Sequence, residues 1–243
     1  MPWYEESFGE DYLLVYRHRN RAAADREVQW AAERLHLNQE DQVLDLCCGT
    51  GRHSIALDEL GFNVTGIDLS PVLLKHAKAS SQGRNIRYIR GDMRRLPFEE
   101  DCFDAVFNLF TSFGYFIEDA ENQQVLREIR RVLRPDGRFI IDYLNRTAVE
   151  KNLVPQSERE ESGTRILEKR WIDGDYVRKE ITLTDADGRR HYQERVKMYT
   201  REQMVTMMEQ AGLMVEDVYG DFEGHPYNAE NSPRMIFVGS VSA

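Results

Sequence analysis

Three aspartates near the start of the chain carry the chemistry that the sequence suggests most directly. Asp45 interrupts the apolar segment 43–48, and Asp68 and Asp92 come at the ends of the next two apolar segments. A carboxylate inside a buried strand costs free energy unless it meets a cation or a hydrogen-bond donor. Asp45 would repel a pyrophosphate and attract an ammonium group. The three acids therefore predict a ligand that offers positive charge and hydrogen-bond donors.

A glycine-rich turn follows the first of these segments. Gly49 and Gly51 break the apolar run, and a helical pattern begins close to Ile55. Glycine lets the backbone pass close to a ligand, and a helix N-terminus presents unpaired N–H groups to it. Dinucleotide-binding folds use the pattern Gly-x-Gly-x-x-Gly, but Ser54 stands at the third glycine position here. The stretch predicts a strand, a turn that approaches a ligand, and a helix.

Strand and helix patterns alternate through this half of the chain, which predicts a parallel sheet. The carboxyl ends of parallel strands meet at one edge, where a doubly wound sheet binds its ligand, so we expect the three acids to surround one site. Asp68 comes about twenty residues after the glycine turn, where a carboxylate can accept hydrogen bonds from both ribose hydroxyls. A dinucleotide would leave Asp45 and Asp92 without a role. A different nucleoside ligand is therefore favoured.

The stretch from Asp45 to Gly51 resembles motif I of the class I S-adenosylmethionine-dependent methyltransferases. The later segments 91–93, 98–104 and 132–142 are similar to further motifs of that family. The resemblance implies the seven-stranded methyltransferase sheet and S-adenosyl-L-methionine as the cofactor. It implies that the three acids serve, in order, the methionine end, the ribose and the adenine. The cofactor-binding residues that it implies are Tyr16, Arg19, Asp45, Cys47, Gly49, Gly51, Asp68, Leu69, Asp92, Met93, Asn108 and Phe110.

The N-terminal tract 8–17 has aromatic residues at helical spacing, followed by a run of basic residues. An apolar packing face is one interpretation of these rings. The tract also resembles the N-terminal lid of small-molecule N-methyltransferases, including those that dimethylate amino sugars. That resemblance implies that Tyr12 approaches the methyl-transfer site and that an arginine meets the cofactor carboxylate. We assign this arginine as Arg19, with Arg17 and Arg26 as the alternatives.

Four aromatic residues fall within positions 110–116, directly after the predicted fourth strand. A sulfonium is attracted to aromatic faces by about 0.5–2 kcal/mol when it is desolvated. In the family this loop lies beside the transferred methyl group. We therefore expect Tyr115 to face the substrate, together with Tyr143 at the end of the predicted fifth strand.

We expect one α/β methyltransferase domain, with a doubly wound seven-stranded sheet whose last strand is antiparallel. The cofactor-binding core comprises residues 38–157 and 200–243, and residues 1–37 form a lid of two helices. Residues 158–199 contain three alternating segments joined by tight turns, which predict an inserted antiparallel β flap. The charged alternation in this flap predicts a solvated face. The flap would cover the substrate or form a homodimer contact.

The composition limits the possible partners. The formal net charge of −10 disfavours binding to a nucleic acid backbone. No stretch approaches the roughly 18 consecutive apolar residues of a membrane span, and the N-terminus lacks the pattern of a signal peptide. Three cysteines form neither a disulfide framework nor a metal-ligand pattern. We expect a cytoplasmic protein with no metal site, no membrane contact and a small-molecule partner.

The expected reaction is in-line transfer of a methyl group to a small-molecule acceptor, with an amine favoured. An amine must arrive neutral, so a nearby base would help. Tyr12 and His225 are the catalytic candidates, and His18 is a further candidate base. Two alternatives stay open: a non-catalytic module that binds S-adenosylmethionine, and a methyltransferase that acts on protein or RNA. A nicotinamide oxidoreductase is a weaker third possibility.

Overall fold

The computed structural model describes residues 2–17 and 21–241. Its strands form a seven-stranded sheet and a four-stranded sheet. The strands are β1 (Gln42–Leu46), β2 (Asn63–Asp68), β3 (Arg87–Arg90), β4 (Phe103–Asn108), β5 (Leu133–Leu144), β6 (Gln156–Glu161), β7 (Thr164–Asp173), β8 (Tyr176–Asp185), β9 (Gly188–Lys197), β10 (Leu213–Tyr219) and β11 (Arg234–Val241). The helices are α1 (Trp3–Ser7), α2 (Glu10–Val15), α3 (Arg21–Arg34), α4 (Arg52–Glu59), α5 (Pro71–Ser80), α6 (Asp119–Val132), α7 (Arg146–Asn152) and α8 (Arg201–Gln210).

The large sheet has the strand order β10–β11–β5–β4–β1–β2–β3. Strand β11 runs antiparallel to both of its neighbours, whereas the pairs from β5 to β3 are parallel. The chain reverses its direction of winding between β1 and β4, which lie side by side at the centre. This confirms the doubly wound seven-stranded sheet with an antiparallel last strand.

Both faces of the large sheet are buried, as parallel sheets require. Val43 of β1 packs in the cluster that contains residues of α3 and α4, such as Leu57. Its neighbour Leu44 packs in the opposite cluster with residues of α6 and α8, such as Leu126 and Met204. Successive strand residues point to opposite faces, so one apolar run supplies both layers of the core.

Capping residues fix the first residue of two of these helices, α5 and α8. Ser70 caps α5 by accepting a hydrogen bond from the Leu73 N–H at 3.1 Å, and Pro71 is the first helical residue. Thr200 and Gln203 form a reciprocal capping box at the start of α8. These caps satisfy backbone donors that a helix leaves unpaired. They fix where the chain leaves the sheet edge and turns back.

The lid contains three helices instead of the predicted two. Helix α1 ends at Ser7 and α2 begins at Glu10, because Gly9 is extended and serves as the N-cap of α2. The break separates Phe8 from the ring of Tyr12, although the two rings still meet edge to face at 5.2 Å. The single helical face that the aromatic spacing predicted is therefore wrong, but the aromatic cluster that it predicted is present.

The inserted flap has four antiparallel strands, β6–β9, instead of the predicted three. Strand β6 is composed wholly of polar residues, so hydrophobic alternation could not reveal it. The charged alternation is not a solvated face either. Glu168 is 4% exposed and pairs with Arg159, Arg170 and Lys179. Although burial opposes its ionisation, these cations hold the pKa of Glu168 down at about 2.

The segment between α6 and the flap differs from the sequence prediction at two points. Strand β5 begins at Leu133 instead of Arg138: Leu133 pairs with Phe103, and pairing resumes at Arg138 after an interruption in which Asp136 has a φ of 64°. The predicted turn is thus an irregularity inside the strand. Helix α7, at 146–152, follows β5 and was not predicted; it is short and has no buried residue.

The lid is fastened to the flap. Asp11 of α2 accepts hydrogen bonds from Arg190 Nε at 2.7 Å and Tyr192 Oη at 2.6 Å, both on β9. Val15 packs in an apolar cluster with Ile166 and other flap residues. Helices α1 and α2 and the flap therefore form one layer over the carboxyl edge of the large sheet, which we call the roof, whereas α3 packs on a face of the sheet.

Replacing Asp11 with alanine should loosen the lid without unfolding the core. Hydrogen bonds to a charged group each contribute about 1.5–3 kcal/mol, and 1.4 kcal/mol corresponds to a tenfold change in an equilibrium. We expect amide hydrogen exchange in α1 and α2 to accelerate at least about tenfold in Asp11→Ala, measured by mass spectrometry. Asp187→Ala, at a turn of the same flap, is the control. Equal protection of the lid in both variants would show that the ties to β9 are unimportant.

Candidate active site

Three cavities that share wall residues lie between the roof and the carboxyl ends of β1–β4. Cavity A has a volume of about 660 Å³, which includes space open to solvent. Its walls come from the residues that follow the first three strands and from lid and loop aromatics. They are Tyr4, Phe8, Tyr12, Leu46, Cys47, Gly49, Ile67, Asp68, Leu69, Leu73, Gly91, Asp92, Met93, Ser112, Tyr115 and Phe116. The predicted residues Cys47, Gly49, Asp68, Leu69, Asp92 and Met93 are thereby brought together.

Asp68 joins two strand ends at the wall of cavity A. Its Oδ2 accepts a hydrogen bond from the Gly49 N–H at 2.9 Å, and its Oδ1 accepts one from the Ser70 N–H at 2.8 Å. Burial raises the pKa of Asp68 to about 6, although these backbone hydrogen bonds oppose the rise. Each carboxylate oxygen has a second lone pair, so the group can still accept from a ligand.

The two glycines of the turn serve different purposes. Gly49 has a φ of 55° and lines both cavity A and the neighbouring cavity B. Gly51 has a φ of 81° and forms the N-cap of α4. A Cβ at Gly51 would collide with the hydroxyl of Tyr88 and press on Ala77. Gly51 is therefore required by packing against these two side chains, and it does not line the cavities that we describe.

Cavity B, of about 760 Å³, continues from cavity A toward the start of α4. Its walls are Tyr12, Leu13, Tyr16, Arg17, Cys47, Cys48, Gly49, Thr50, Arg52, His53, Leu109, Phe110 and Ser112. Burial raises the pKa of the Cys47 thiol well above its usual range, so Cys47 contributes a neutral surface. Three cationic or potentially cationic side chains, Arg17, Arg52 and His53, face this cavity, which therefore suits an anionic group.

Asp45 lies behind this wall and not on it. The carboxylate is 2% exposed and accepts a hydrogen bond from Ser54 Oγ at 2.5 Å. Burial raises its pKa. The adjacent His53 shares a hydrogen bond of 2.8 Å with Glu27 of α3. Burial opposes the ionisation of Glu27, but the hydrogen bond with His53 holds the pKa of Glu27 below its usual value.

Asp92 lies at the far end of cavity A, where Arg94 neutralises it. The Arg94 backbone N–H and guanidinium donate to its carboxylate at 2.6–3.1 Å. Burial opposes ionisation, but the hydrogen bonds with Arg94 hold the pKa of Asp92 below its usual value. The Arg94 guanidinium also lies 4.4 Å from the ring centre of Phe116. This end of the cavity thus combines a carboxylate with apolar and aromatic walls.

Cavity C, of about 620 Å³, lies between the lid, the loop after β4 and strand β9 of the flap. Its walls are Trp3, Phe8, Tyr12, Tyr16, Phe110, Thr111, Ser112, Tyr115, Glu194, Val196 and Arg234. Tyr12 and Ser112 line all three cavities. Their position therefore marks the place where the contents of cavities A and B would meet those of cavity C.

Glu194 is the carboxylate of cavity C. It accepts a hydrogen bond from Tyr16 Oη at 2.6 Å, and Lys179 Nζ lies 3.8 Å away. Lys179 Nζ also donates to Tyr16 Oη at 2.8 Å. The ring of Tyr16 packs against Tyr12 with centroids 4.5 Å apart. A carboxylate among aromatic rings is an environment that favours a cation.

Comparison with known proteins agrees with this geometry. Residues 43–137 match a family described as a methyltransferase domain. The cypemycin N-terminal methyltransferase of Streptomyces sp is 27% identical over 238 residues, which cover 96% of each chain. The putative methyltransferase YqeM of Bacillus subtilis (strain 168) is 35% identical over 124 residues. That alignment covers 51% of this chain and 49% of YqeM, so the chain spans about half the length of this relative.

Solved structures extend the similarity to the whole fold. The CcbJ methyltransferase from Streptomyces caelestis superposes with a TM-score of 0.82 at 21% identity, over 100% of this chain and 99% of that one. The sugar N-methyltransferase KedS8 from Streptoalloteichus sp ATCC 53650 has a TM-score of 0.72 at 25% identity, over 97% and 94% of the two chains. The domain match, the relatives and the shared fold together support a class I S-adenosylmethionine-dependent methyltransferase. S-adenosylmethionine is accordingly its cofactor.

Two residues that the sequence analysis assigned to the site, His225 and Tyr143, do not line the cavities. His225 is not at the cavities: its Nδ1 shares a hydrogen bond of 2.8 Å with Asp221, and 68% of its side chain is exposed. The loop that carries it packs on α3, where Phe222 meets Trp30 at 5.6 Å. Tyr143 is fully buried and donates a hydrogen bond to the Lys197 carbonyl, so it anchors the end of the flap and cannot face a substrate.

Two further predictions for the methyltransferase site have different outcomes. Asn108 is fully buried on β4, where its Nδ2 donates to the Leu46 carbonyl at 3.3 Å, and it does not line cavities A–C. It supports the floor and does not contact the ligand space. Arg19 and His18 lie outside the described residues. Of the two alternative arginines, Arg17 lines cavity B, and Arg26 is exposed on α3.

Sequence reasoning missed three side chains of the methyltransferase site. Glu194 lies in the third predicted flap segment, 191–199, to which the sequence analysis assigned no site residue. Trp3 precedes the aromatic tract 8–17, and its ring lies 5.1 Å from that of Tyr115, centre to centre. Arg234 is the first residue of the last strand, and only the pairing of β11 with β5 brings it to cavity C. An aromatic pair at Trp3 and Tyr4, outside any apolar run, was the one available signal.

The length and hydropathy of the helices bear on whether one of them could span a membrane. Within residues 2–17 and 21–241, none is both long and apolar enough to cross a bilayer.

The raised pKa of Asp68 predicts a pH-dependent loss of stability that Asp68→Asn should remove. An aspartate that titrates near pH 3.8 when unfolded and near pH 6 when folded binds more protons in the folded state between these values. Its contribution to stability therefore falls as the pH rises through this window. We expect the unfolding free energy of Asp68→Asn, relative to wild type, to increase by about 2 kcal/mol from pH 4.5 to pH 7.

Urea unfolding of the unliganded protein measures this difference, and Asp217→Asn on exposed β10 is the control. Because both variants lose one acidic group, subtraction of wild type isolates the effect of burial at Asp68. A difference that does not change with pH would show that the Asp68 carboxylate is ionised normally.

Proposed function

We propose that this chain transfers the methyl group of S-adenosylmethionine to an amine nitrogen of a small molecule. The observation that carries this proposal is cavity C, which joins the other two cavities at Tyr12 and contains one carboxylate, Glu194, among aromatic walls. The full-length relative named an N-terminal methyltransferase and the neighbour named a sugar N-methyltransferase support an amine. The negative charge of the chain supports an acceptor other than a nucleic acid.

The cofactor is proposed to bind across cavities A and B. Asp68 would accept the ribose hydroxyls, because its buried carboxylate keeps free lone pairs at the wall of cavity A. Leu69 and Met93 would pack on the adenine ring, and the Asp92 carboxylate would accept a hydrogen bond from the exocyclic amine of the adenine. The open space beside Gly49, where a Cβ would meet nothing within 4 Å, leaves room for the ligand to pass from one cavity to the other.

The methionine end would then occupy cavity B. Arg17, Arg52 and His53 offer positive charge there for the carboxylate. The α-ammonium group would be attracted by Asp45, whose carboxylate accepts a hydrogen bond from Ser54 Oγ. Arg17 comes from the end of the lid tract and Arg52 from the start of α4, so either guanidinium could pair with the carboxylate. Tyr16 lines the same cavity and is proposed to contact this end of the cofactor.

When bound, S-adenosylmethionine supplies an electrophilic methyl group on a good leaving group. The protein has to align the nucleophile and exclude water, and alignment alone can lower a barrier by several kcal/mol. The roof provides both functions, because lid rings and strand β9 close cavity C from above. Tyr12 is proposed to orient the acceptor, since its side chain faces all three cavities.

Glu194 is proposed to attract the amine. Tyr16 and Lys179 already partner its carboxylate, and an ammonium group would add a third partner. An amine must lose its proton before it attacks, and a carboxylate close to the amine can receive that proton. His225 lines none of cavities A–C and pairs with Asp221 on an exposed loop, so Tyr12 is the other candidate for this base. Tyr115, whose hydroxyl donates to the Thr111 carbonyl at 2.9 Å, is proposed to line the acceptor side.

A homodimer through the flap is also a proposal. Trp171 and Ile172 near the end of β7 are 39% and 36% exposed, which is high for side chains of this size and polarity. We propose that the end of the β7–β8 hairpin, which carries these two side chains, contacts a second copy of the chain. Cytoplasmic residence and the division into lid, core and flap stay predictions in the same way.

The proposed function is tested by following S-adenosylhomocysteine formation with a panel of acceptors. The panel comprises small primary and secondary amines, alcohols, carboxylic acids and short peptides with free amino termini. We expect turnover with a small amine. Turnover with peptides only would favour a peptide amino terminus as the acceptor, and cofactor binding without turnover of any acceptor would indicate a non-catalytic binding module.

Glu194→Gln should raise the KM for the amine about 10- to 100-fold, because a hydrogen bond to a charged partner contributes about 1.5–3 kcal/mol. The dissociation constant of S-adenosylhomocysteine should stay within about threefold of wild type. Glu160→Gln on exposed β6 is the matched control. An unchanged KM in Glu194→Gln would remove Glu194 from the acceptor site.

Tyr12→Phe should slow methyl transfer while leaving cofactor binding nearly intact. Loss of one hydroxyl that orients the acceptor or receives its proton costs about 10²–10⁴-fold in rate. The ring, which forms the shared wall, is kept. We expect a lower kcat with little change in the affinity for S-adenosylhomocysteine by calorimetry. A variant as fast as wild type would leave Tyr12 with a packing role only.

A further inference from the structure

The turn directly after β4 has a strained backbone. Phe110 and Thr111 have φ values of 73° and 55°, in the left-handed region that non-glycine residues rarely occupy. Thr111 is β-branched, for which this region is least favourable. Two successive residues in this state persist only when the surrounding structure holds them there.

Asp142 of β5 holds this turn by two hydrogen bonds. Its Oδ2 accepts from the Phe110 N–H at 2.9 Å, and its backbone carbonyl accepts from the Thr111 N–H at 3.2 Å. Tyr115 Oη donates to the Thr111 carbonyl from the other side. The N–H groups of both strained residues therefore donate to one residue of the neighbouring strand, Asp142.

Arg234 fixes the Asp142 side chain in turn. Its Nε donates to Oδ1 at 2.5 Å and its Nη2 donates to Oδ2 at 2.6 Å, so the pair is bidentate. The Asp142 carboxylate is 1% exposed, and the Arg234 side chain is 26% exposed. A bidentate guanidinium restricts both the position and the rotation of a carboxylate. Arg234 thus determines where Asp142 presents its oxygen to the turn.

The turn forms a wall that two cavities share. The Phe110 side chain lines both cavity B and cavity C, and Thr111 lines cavity C. The guanidinium groups of Arg52 and Arg234 lie 4.9 Å and 6.0 Å from the centre of the Phe110 ring. The ring therefore stands between the proposed cofactor space and the proposed acceptor space, and any change in the turn alters how the two meet.

We propose that Asp142 and Arg234 are positioning residues for methyl transfer. They act through the Phe110–Thr111 turn, which they hold in the conformation that aligns the walls of cavities B and C. The inference rests on the proposed function, since it assigns the turn to the boundary between cofactor and acceptor. Neither charged residue needs to contact the reacting atoms. This role provides a reason for a buried ion pair at the end of β5.

The primary test is Asp142→Asn. Both carboxylate oxygens of Asp142 accept hydrogen bonds from Arg234, and one of them also accepts from the Phe110 N–H, whereas asparagine has a single acceptor oxygen. We expect kcat for the acceptor found by the screen to fall about 10- to 100-fold, because small misplacements of reacting groups have costs of this size. The dissociation constant of S-adenosylhomocysteine should change less than about threefold. A kcat within about twofold of wild type would overturn the proposal.

A glycine at the strained position separates positioning from general loss of stability. Thr111→Gly should restore at least about fivefold of the lost kcat in the Asp142→Asn background, because glycine adopts positive φ without the steric cost. The same substitution in wild type provides the reference for this comparison. Failure of the double variant to recover any rate would show that Asp142 does not act through the backbone of the turn.

A matched ion pair on the same strand is the control. Arg138 of β5 donates two hydrogen bonds to Glu216 at 3.0 and 2.8 Å, remote from cavities A–C. Glu216→Gln should leave kcat unchanged. If Asp142→Asn does not fold, Arg234→Gln provides the second variant, with the same expected direction and a smaller loss of kcat.

A crystal structure of Asp142→Asn with S-adenosylhomocysteine distinguishes failure of this inference from failure of the proposed function. We expect Phe110 and Thr111 to leave the left-handed region in that structure. Positive φ at both residues would overturn the inference even if wild type methylates amines. If wild type turns over no acceptor but the turn relaxes as expected, the proposed function fails while the role of the pair in setting this wall stands.

Discussion

The buried carboxylate of Asp68 is the interaction on which the ligand-binding edge of the sheet depends. One oxygen accepts from the glycine turn after β1 and the other from the start of α5, so a single side chain joins two strand ends. Burial disfavours its charge, and the two N–H groups offset part of that cost. The turn is therefore held in place by the same group that is proposed to accept the ribose, and the site is organised before a ligand arrives.

The roof makes a second layer whose electrostatics are largely self-contained. Asp11 pairs with Arg190, Glu168 with three cations, and Glu194 with Tyr16 and Lys179. Because these charges are neutralised locally, the net charge of −10 does not describe the interior of cavity C. Helices α1 and α2 are short and have one buried residue each, so their position depends on these ties to the flap. Closure of the lid and the position of strand β9 are then coupled.

The sequence could predict the large sheet because its signals are local. Apolar runs, Ser70 before Pro71, and the glycine turn each act within a few residues, and the acids at the strand ends follow from topology alone. Strand β6 has no apolar residue, so the alternation of apolar and polar residues that predicts a strand is absent from it. His225 and Tyr143 were misassigned because only the tertiary packing of a loop on α3 and of β5 against the flap decides which way they face. Gly51 was read as a ligand residue although Tyr88 is what requires it.

The division between sheet edge and roof also explains why the acceptor is harder to infer than the cofactor. The segment that matches the methyltransferase family, 43–137, contains the glycine turn, Asp68 and Asp92, and it ends before the flap. Cavity C instead draws Trp3 from the lid, Glu194 from the flap and Arg234 from the last strand. These elements lie far apart in the chain and share no local pattern. A fold can therefore keep its cofactor chemistry while the roof changes, and the acceptor has to be argued from the charge and shape of that roof.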